Sequence, residues 1–466
     1  MVAERAGAPR RGAPTASRTT QADWEGFELL PQLLEMRPLR FAYAGGLVAS
    51  ILTGYKLLSL RRGRLSQEEY QDRLSSYHTR SARQIYDGVV RLEGLMIKIG
   101  QTIGSRPDTF PEEYVRVLSR LQDQVPPRSW QSMRPHIERQ LGRPIEDVFL
   151  EFNTEPVAAA SLAQVYKARL KDGRQVAVKV VYPNIERLVD TDLKLLRAVI
   201  WLESRLLYSF PLEPAFQELA ANIPLEVDML HEACSMERIA SLLADRPEIV
   251  IPSVVWEYTS DRVLTMEYID GIKVTDLERG IREGLDIKKL SRLVVEVYVE
   301  LMLKHGHFHA DPHPGNLFAL PSDRLAIVDF GLTKRLSPQF LTAFKKMIRC
   351  IFTHDDEGVV EAMEEAGFRL KQGGGDGFRA TAEFFRSMTN PSTYRNRELM
   401  DAANEAWVKG LKPNPMMEMP GEIILPMRVF GLILGLGFTT GLEVDVARIV
   451  LQYATEPSTE EALATG

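Results

Sequence analysis

The chain has 466 residues, of which 45% are hydrophobic and 26% charged, a composition typical of a globular protein with two or three structural units. Its formal net charge of -6 is small for this length, and no segment combines clustered Lys and Arg with aromatic residues. Nucleic acid is therefore excluded as the expected partner. The two cysteines, Cys234 and Cys350, are far apart and lack metal-ligand spacing, so we expect a reducing compartment and neither a disulfide framework nor a structural zinc site.

Residues 1–22 are rich in Ala, Arg, Ser, Thr and Pro, and no apolar stretch follows directly. This composition favours a disordered segment over a secretory signal. Organelle transit peptides have a similar composition, but the acidic residues Glu4, Asp23 and Glu25 argue against organelle targeting. The expected location is the cytoplasm.

Two apolar runs stand out further along the chain. Residues 41–55 form a run of 15 residues, fewer than the ~20 that a membrane-spanning helix needs. A buried or interfacial helix is expected here, and peripheral contact with a membrane remains an open alternative. Residues 429–442 contain four glycines and are bracketed by Arg428 and Glu443, which predicts a packed helix of the last domain.

Helical periodicity dominates residues 66–150. Within segment 89–101, the apolar residues form one helical face, and Lys98 and Gln101 project together from another. The period changes to two near residue 155. Alternating segments at 164–170 and 175–181, joined by a Lys-Asp-Gly turn, predict a β-hairpin with Lys179 on its second strand.

The remaining pattern favours the α+β fold class, with a small antiparallel sheet and helices packed on it. Residues 190–243 have a helical pattern, residues 250–269 have strand patterns, and the chain from 276 onward is mostly helical with two short strands. Four segments are predicted: 1–64, a disordered N-terminus with a short apolar helix; 65–150, a helical extension; 151–270, a sheet-containing lobe; and 271–466, a helical lobe.

The motif H-A-D-P-H-P-G-N at residues 309–316 carries the strongest chemical signal, and D-F-G follows an apolar strand at 329–331. Phosphoryl transfer needs one carboxylate to accept a hydroxyl proton, and an amide oxygen plus a second carboxylate to hold Mg²⁺. Asp311 would be the proton acceptor, and Asn316 and Asp329 would be the metal ligands. The interval from Asp311 to Asn316 matches the protein-kinase catalytic loop. A solvated loop would leave the spacing from Asp311 to Asn316 and the D-F-G triplet unexplained. A zinc site at His309 and His313 is disfavoured because two histidines four apart in a proline-broken loop have no helical face on which to converge.

The strand V-A-V-K at 176–179 resembles the kinase strand whose lysine holds the α- and β-phosphates. The loop before it contains Ala158, Ala159, Ala160 and Ser161, where kinases carry a glycine-rich loop. Alanine resists positive φ and a close approach to phosphate, so this loop departs from an ordinary kinase grip on the nucleotide.

The sequence M-E-Y-I at 266–269 ends a predicted strand and resembles the hinge at which kinases bind adenine through backbone groups. Met266, Glu267 and Ile269 are therefore candidate nucleotide contacts. A core strand explains this segment equally well.

The alanine-rich loop, K-I-G-Q at 98–101 and H-A-D-P-H-P-G-N together are similar to the UbiB/AarF family of atypical kinases and ATPases, over roughly residues 85–335. The resemblance implies a bilobal protein-kinase-like fold, with an N-terminal helical extension packed over the active site. It also implies binding of ATP or ADP with Mg²⁺.

Further site residues follow from the same resemblance. The family's K-x-G-Q motif falls on Lys98 and Gln101, and its E-x-D motif begins at Glu226. The resemblance implies that Lys98 contacts Glu226 and restricts access to the site, and that Glu232 pairs with Lys179.

The implied activity is that of an ATP-dependent phosphotransferase or ATPase that supports ubiquinone or other isoprenoid lipid metabolism, with a lipid or small-molecule acceptor. One alternative is a small-molecule kinase of the aminoglycoside or choline type, which the K-x-G-Q motif and the alanine loop disfavour. Another is a pseudokinase scaffold that binds nucleotide without turnover, which the complete set of metal and proton-transfer residues disfavours.

Overall fold

The computed structural model of the protein describes residues 36–104, 110–122, 127–206, 220, 223–372, 375–394, 396–414, 416–440 and 444–459. They belong to two compact units, one drawn from residues 1–125 and 186–216 and the other from 126–185 and 217–466. The disorder predicted for residues 1–22 lies outside the described residues.

The chain mixes long helices with short strands, which pair antiparallel except for the parallel pair of Ile249–Val250 and Arg324–Ile327. The helices are α1 Arg37–Leu60, α2 Gln67–Leu92, α3 Leu95–Gly104, α4 Glu112–Leu118, α5 Trp130–Leu141, α6 Ile145–Val148, α7 Ile185–Leu206, α8 Met229–Leu242, α9 Leu277–Arg282, α10 Ile287–Leu303, α11 Pro338–Thr353, α12 Asp356–Glu365, α13 Asp376–Met388, α14 Pro391–Tyr394, α15 Arg397–Leu411, α16 Ile424–Thr440 and α17 Val446–Thr455. The strands are β1 Phe149–Phe152, β2 Ala158–Ala159, β3 Ala163–Leu170, β4 Gln175–Val181, β5 Ile249–Val250, β6 Val263–Glu267, β7 Ile272–Lys273, β8 His307–His309, β9 Leu317–Leu320, β10 Arg324–Ile327, β11 Thr333–Arg335, β12 Arg369–Leu370 and β13 Met416–Glu418.

The first unit is helical in its described part and consists of α1 to α4 together with nearly all of α7. Its apolar core includes Leu92 from α2, Met96 from α3, Leu118 from α4 and Leu195 from α7. Gly88 allows α1 and α2 to pack closely, because a Cβ there would lie 2.4 Å from a methyl group of Leu47. Burial of these apolar side chains is the main stabilising contribution to this unit.

The chain breaks its helix inside segment 89–101, so the single helical face expected there is wrong. α2 ends at Leu92, Glu93 and Gly94 adopt φ values of 55° and 58°, and α3 begins at Leu95. The sequence does not indicate that Glu93 adopts a positive φ, because glycine is the usual residue at such φ values. Lys98 and Gln101 both lie on α3, three residues apart, and therefore still share a face.

A buried ion pair connects α1 to this break. Arg40 is 1% exposed and Asp192 of α7 is fully buried. Arg40 Nε donates to one carboxylate oxygen of Asp192 at 2.5 Å, and Nη2 donates to the other at 2.7 Å. Nη1 donates to the carbonyl oxygen of Leu92 at 2.6 Å, so the guanidinium also satisfies the end of α2.

Helix α1 extends beyond the apolar run 41–55 at both ends and is longer than the run alone predicted. The helical segment Arg37–Arg64 contains an 18-residue apolar window with a mean hydropathy of 1.3, and only 11% of that window is buried. By length and composition it is the one helix among the described residues that could cross a membrane.

The second unit contains, after α5 and α6, an antiparallel sheet in the order β1-β3-β4-β6, with β2 paired to β3. The predicted hairpin of β3 and β4 is confirmed, and Lys179 lies opposite Val165 on one side and Leu264 of β6 on the other. Nearly every position of β4 is buried, which explains its continuous apolar sequence.

The rest of the second unit is mostly helical around α10, whose residues 293–295 and 297–303 are buried, as its apolar sequence indicated. A second sheet in the order β5-β10-β9-β7 and the pair β8-β11 lie in this part of the chain. α16 contains most of the apolar run 429–442, and its Val429 and Ile433 are buried, so the packed helix predicted there is confirmed over its described residues.

We expect Arg40→Ala to lower the free energy of unfolding by about 3–5 kcal/mol, because Asp192 would stay buried without its counter-charge. Arg37→Ala is the matched control. Arg37 of α1 pairs with Asp190 of α7 at 3.0 Å, and the two side chains are 53% and 47% exposed. Its expected cost is below about 1 kcal/mol. Chemical denaturation followed by circular dichroism measures both, and equal losses would contradict the buried pair's role.

Candidate functional site

The central feature of the second unit is a three-residue charge cluster. Lys179 Nζ donates to the two carboxylate oxygens of Glu232 at 2.8 and 2.9 Å and lies 3.1 Å from Asp329 Oδ1. Lys179 comes from β4, Glu232 from the first turn of α8, and Asp329 from the segment after β10. Glu232 is fully buried and Lys179 is 7% exposed, so both charges are withdrawn from water.

The protonation of the cluster follows from burial and charge together. Burial opposes the charged form of Lys179, but Asp329 and Glu232 outweigh it and raise the pKa of this lysine. Partial burial also opposes the charged form of Asp329, but Lys179 outweighs it and lowers the pKa of this carboxyl. For Glu232 burial dominates and raises the pKa. At neutral pH the site therefore presents a cationic Lys179 beside an ionised Asp329.

The D-F-G segment is fixed by the same glutamate. The backbone N–H of Phe330 donates to Glu232 Oε1 at 3.1 Å. Asp329 adopts a positive φ of 68°, and its side chain, 42% exposed, accepts the N–H of Gly331 at 3.3 Å. A left-handed aspartate held in this way keeps one carboxylate edge directed out of the core.

The helix that carries Glu232 begins at a capping residue that the sequence reasoning did not assign this role. Asp228, the last residue of the E-x-D motif, is the N-cap of α8 and accepts the N–H of His231 at 3.0 Å. An aspartate directly before a helical pattern with an acidic first turn is the sequence signal for this cap.

The β9–β10 hairpin brings Asn316 and Asp329 to the same end of the second sheet. Leu317 pairs with Ile327, and the N–H of Val328 donates to the carbonyl oxygen of Asn316 at 2.9 Å. Asn316 closes a short 3₁₀ turn before β9 and is partly exposed. One amide oxygen and one partly exposed carboxylate are the oxygen donors that suit Mg²⁺ bound together with phosphate.

The histidines of the motif have structural contacts. His309 is 1% exposed, and its Nδ1 lies 2.8 Å from the hydroxyl of Tyr298. Burial lowers the pKa of His309 and favours its neutral form. His313 Nδ1 accepts the N–H of Gly315 at 3.1 Å and caps the 3₁₀ turn.

Asp311, the candidate proton acceptor, follows β8 and is partly exposed. Its Oδ1 lies 3.0 Å from Nη2 of Arg428, a residue of α16. Sequence reasoning missed Arg428 as a site residue, and the one signal for it was a lone cation at the start of the apolar run 429–442.

The alanine loop is a tight β structure. Ala158 and Ala159 pair with Val165 and Gln164 of β3. The N–H of Ala160 donates to the carbonyl oxygen of Ala163 at 2.8 Å, so that N–H is already occupied.

The side chains of this loop differ in exposure. Ala158 and Ala160 are exposed, Ala159 is half-buried and Ser161 is buried. Contact between this loop and a nucleotide stays a prediction.

The candidate hinge lies at the end of β6. Met266 is buried, and the N–H of Glu267 donates to the carbonyl oxygen of Ser253 at 2.9 Å. Ile269 follows two residues later, is half-buried, and its N–H finds no partner within the described residues. A core strand and a free backbone donor are thus both present in this segment.

The K-x-G-Q residues belong to the first unit and the E-x-D residues to the second. Gln101 Nε2 donates to the carbonyl oxygen of Leu121 at 2.8 Å inside the first unit. Glu226 lies near the D-F-G segment, because a Cβ added to Gly331 would come 3.9 Å from the Glu226 Cα. The pairing of Lys98 with Glu226 stays a prediction.

Comparison with known proteins agrees with this architecture. Residues 120–363, more than half of the chain, match the family described as the ABC1 atypical kinase-like domain. The Mycobacterium tuberculosis protein Rv3197, solved with erythromycin, is 25% identical and superposes with a TM-score of 0.59 over 84% of this chain and all of its own. The fold is therefore kinase-like and α+β, as the sequence predicted.

Two relatives extend the match. The Arabidopsis thaliana protein ACTIVITY OF BC1 COMPLEX KINASE 8, chloroplastic, is 32% identical over 80% of this chain and 54% of its own length. The mouse AarF domain-containing protein kinase 1 is 33% identical over 67% of this chain and 60% of its own length. The chain thus spans little more than half of each. It belongs to the UbiB/AarF family of ABC1 atypical kinase-like proteins.

We expect Lys179→Met to lower the free energy of unfolding by about 3–5 kcal/mol, because Glu232 would stay buried without its cation. Adding Glu232→Gln to that variant should recover part of the loss, since the buried charge is then gone. Lys167→Met on neighbouring β3 is the control; its ammonium lies 4.1 Å from the ring centroid of Tyr268, a contact worth about 1 kcal/mol or less. A Lys179→Met variant as stable as wild type would refute the buried pair.

Proposed function

We propose that the protein binds ATP with Mg²⁺ and transfers the terminal phosphoryl group to an acceptor or to water, in support of ubiquinone or other isoprenoid lipid metabolism. The observation that carries the proposal is the contact of Lys179 with both Glu232 and Asp329. Membership of a family whose members are named kinases supports the same class of activity.

Each site residue has a distinct role in this proposal. Lys179, held by Glu232, binds the α- and β-phosphates, and Asn316 and Asp329 hold Mg²⁺. When bound, the metal neutralises charge on the phosphate oxygens. Asp311 orients the acceptor hydroxyl or the attacking water and accepts its proton.

Other residues would contact the nucleotide base, cover the phosphates and restrict the acceptor. Adenine would lie at the hinge beside Met266 and Glu267, where the Ile269 N–H offers a polar contact. The alanine loop, residues 158–161, would cover the phosphates with fewer N–H donors than a glycine-rich loop offers, which favours a modified grip on ATP or ADP. Lys98 and Gln101 would restrict peptide acceptors, which favours a lipid or another small molecule.

The alternatives predict different results. A small-molecule kinase of the aminoglycoside or choline type would lie outside the family to which this chain belongs. A nucleotide-binding scaffold without turnover would retain every contact described above. Measured release or transfer of phosphate by the purified protein separates the scaffold from the enzyme.

Location is a separate part of the proposal. Relatives in Arabidopsis thaliana are named as chloroplastic. An organelle is therefore an alternative to the cytoplasm for this chain, although the acidic residues near its start argued against targeting.

We expect Asp329→Asn to abolish Mg²⁺-dependent nucleotide binding, because it removes the charge of a metal ligand. The fold should persist, since asparagine has nearly the same volume and tolerates the positive φ of 68° at this position. Thermal-shift titration with ADP, with Mg²⁺ or with EDTA, measures the effect. The control is Asp356→Asn, an exposed aspartate at the start of α12. Equal stabilisation of Asp329→Asn and wild type by Mg²⁺-ADP would refute the metal assignment.

A membrane surface is the partner that we propose for α1. The helix exposes Leu57 and Leu60, 53% and 68% accessible, and Arg61, Arg62 and Arg64 follow it directly. Apolar side chains beside a basic cluster suit a bilayer that contains anionic lipid.

We expect the double variant Leu57→Glu, Leu60→Glu to lose most of its binding to anionic vesicles in co-sedimentation, because two charges replace the apolar contact. Leu399→Glu with Val408→Glu is the matched control, since these residues are 45% and 46% exposed on α15. Wild-type protein that stays in the supernatant, or an equal loss in the control, would contradict membrane binding through α1.

A further inference from the structure

The contact between Asp311 and Arg428 joins the catalytic motif to a helix more than a hundred residues later. Arg428 Nη2 lies 3.0 Å from Asp311 Oδ1, and the two side chains are 38% and 27% exposed. Within the described residues, Asp311 is the one hydrogen-bonded partner of this guanidinium. A guanidinium has five N–H donors in a planar fork, so the contact leaves most of them available at the surface of the site.

Two cations of the site, Lys179 and Arg428, contact different carboxylates. Lys179 is engaged with Glu232 and Asp329, at the D-F-G end. His313 lies in the loop after Asp311, and its Nδ1 accepts the N–H of Gly315. At the Asp311 end, Arg428 places a positive charge against the carboxylate.

Phosphoryl transfer moves the phosphoryl group from the metal and lysine end of a site toward the acceptor beside the aspartate. The acceptor oxygen forms a bond to the γ-phosphorus. The bond from phosphorus to the β,γ-bridging oxygen breaks with its electron pair remaining on ADP, and the acceptor proton passes to Asp311. Negative charge spreads over the three equatorial oxygens of the phosphoryl group in transit, where an arginine stabilises it.

We propose that Arg428 is a catalytic residue that holds Asp311 with one N–H and binds the phosphoryl group in transit with its remaining donors. The inference rests on the proposed function, because it assigns a role within the same transfer. It places the arginine on a helix of the same chain, so no partner protein has to supply it. It also gives α16 a function beyond packing.

The test compares Arg428→Ala, Arg428→Lys and wild type in the full-length protein. We expect Arg428→Ala to lower kcat for phosphate release or transfer roughly 10²–10³-fold, the scale for losing one preorganised donor to developing charge. The dissociation constant for Mg²⁺-ADP should stay within about threefold, because the interaction forms chiefly in the transition state. Guanidinium ion added to Arg428→Ala should restore part of kcat, and Arg428→Lys should fall between the two because it keeps the charge without the fork.

Arg279→Ala is the matched control, since Arg279 is exposed on α9 and pairs with Glu283, the residue that caps the end of this helix. It should leave kcat and nucleotide affinity unchanged. A rise in kcat for Arg428→Ala would show that Arg428 blocks Asp311, and would overturn the inference. Parallel losses of thermal stability, nucleotide affinity and kcat without guanidinium rescue would also overturn it, because they indicate a packing role.

The inference and the proposed function fail in distinguishable ways. Wild-type protein that neither binds nor turns over Mg²⁺-ATP refutes both. Wild-type protein that turns over Mg²⁺-ATP, together with an Arg428→Ala variant of unchanged kcat, refutes the role of Arg428 alone.

Discussion

The buried contact of Lys179 with Glu232 is the interaction on which the rest of the site depends. Withdrawing two charges from water is costly, and breaking such a pair leaves one of them buried alone. The pair also sets positions: β4 fixes Lys179, α8 fixes Glu232, and Glu232 in turn accepts the N–H of Phe330. Three separate parts of the chain are thereby joined at one carboxylate, and Asp329 is held within 3.1 Å of the lysine.

The parts of the site that the sequence predicted are those with short-range signals. Local turns and the β9–β10 hairpin fix the spacing between Asp311 and Asn316 and the position of the D-F-G triplet. A single sequence is therefore enough to identify both. The hairpin that carries Lys179 could also be predicted, because its turn residues and its alternation of apolar and polar residues are local signals. The partner of Lys179 was found only through the family resemblance, since 53 residues separate it from Glu232.

The features that the sequence did not predict depend on long-range contacts or on unusual backbone. Arg428 contacts Asp311 across 117 residues, and a single cation before an apolar run does not indicate its partner. The break before α3 depends on a positive φ at Glu93, a conformation that a glutamate in the sequence does not predict. Arg40, for whose partner there is also no local signal, forms a bidentate contact with Asp192, 152 residues further along the chain.

The most direct test of the nucleotide site is a crystal structure of the full chain with Mn²⁺ and a non-hydrolysable ATP analogue, with the metal located by anomalous scattering. The account predicts a metal ion about 2.1 Å from oxygens of both Asn316 and Asp329. It also predicts phosphate oxygens within hydrogen-bond distance of Lys179 and an intact contact between Lys179 and Glu232. A metal bound elsewhere, or a nucleotide that leaves Lys179 without a phosphate contact, would contradict the account.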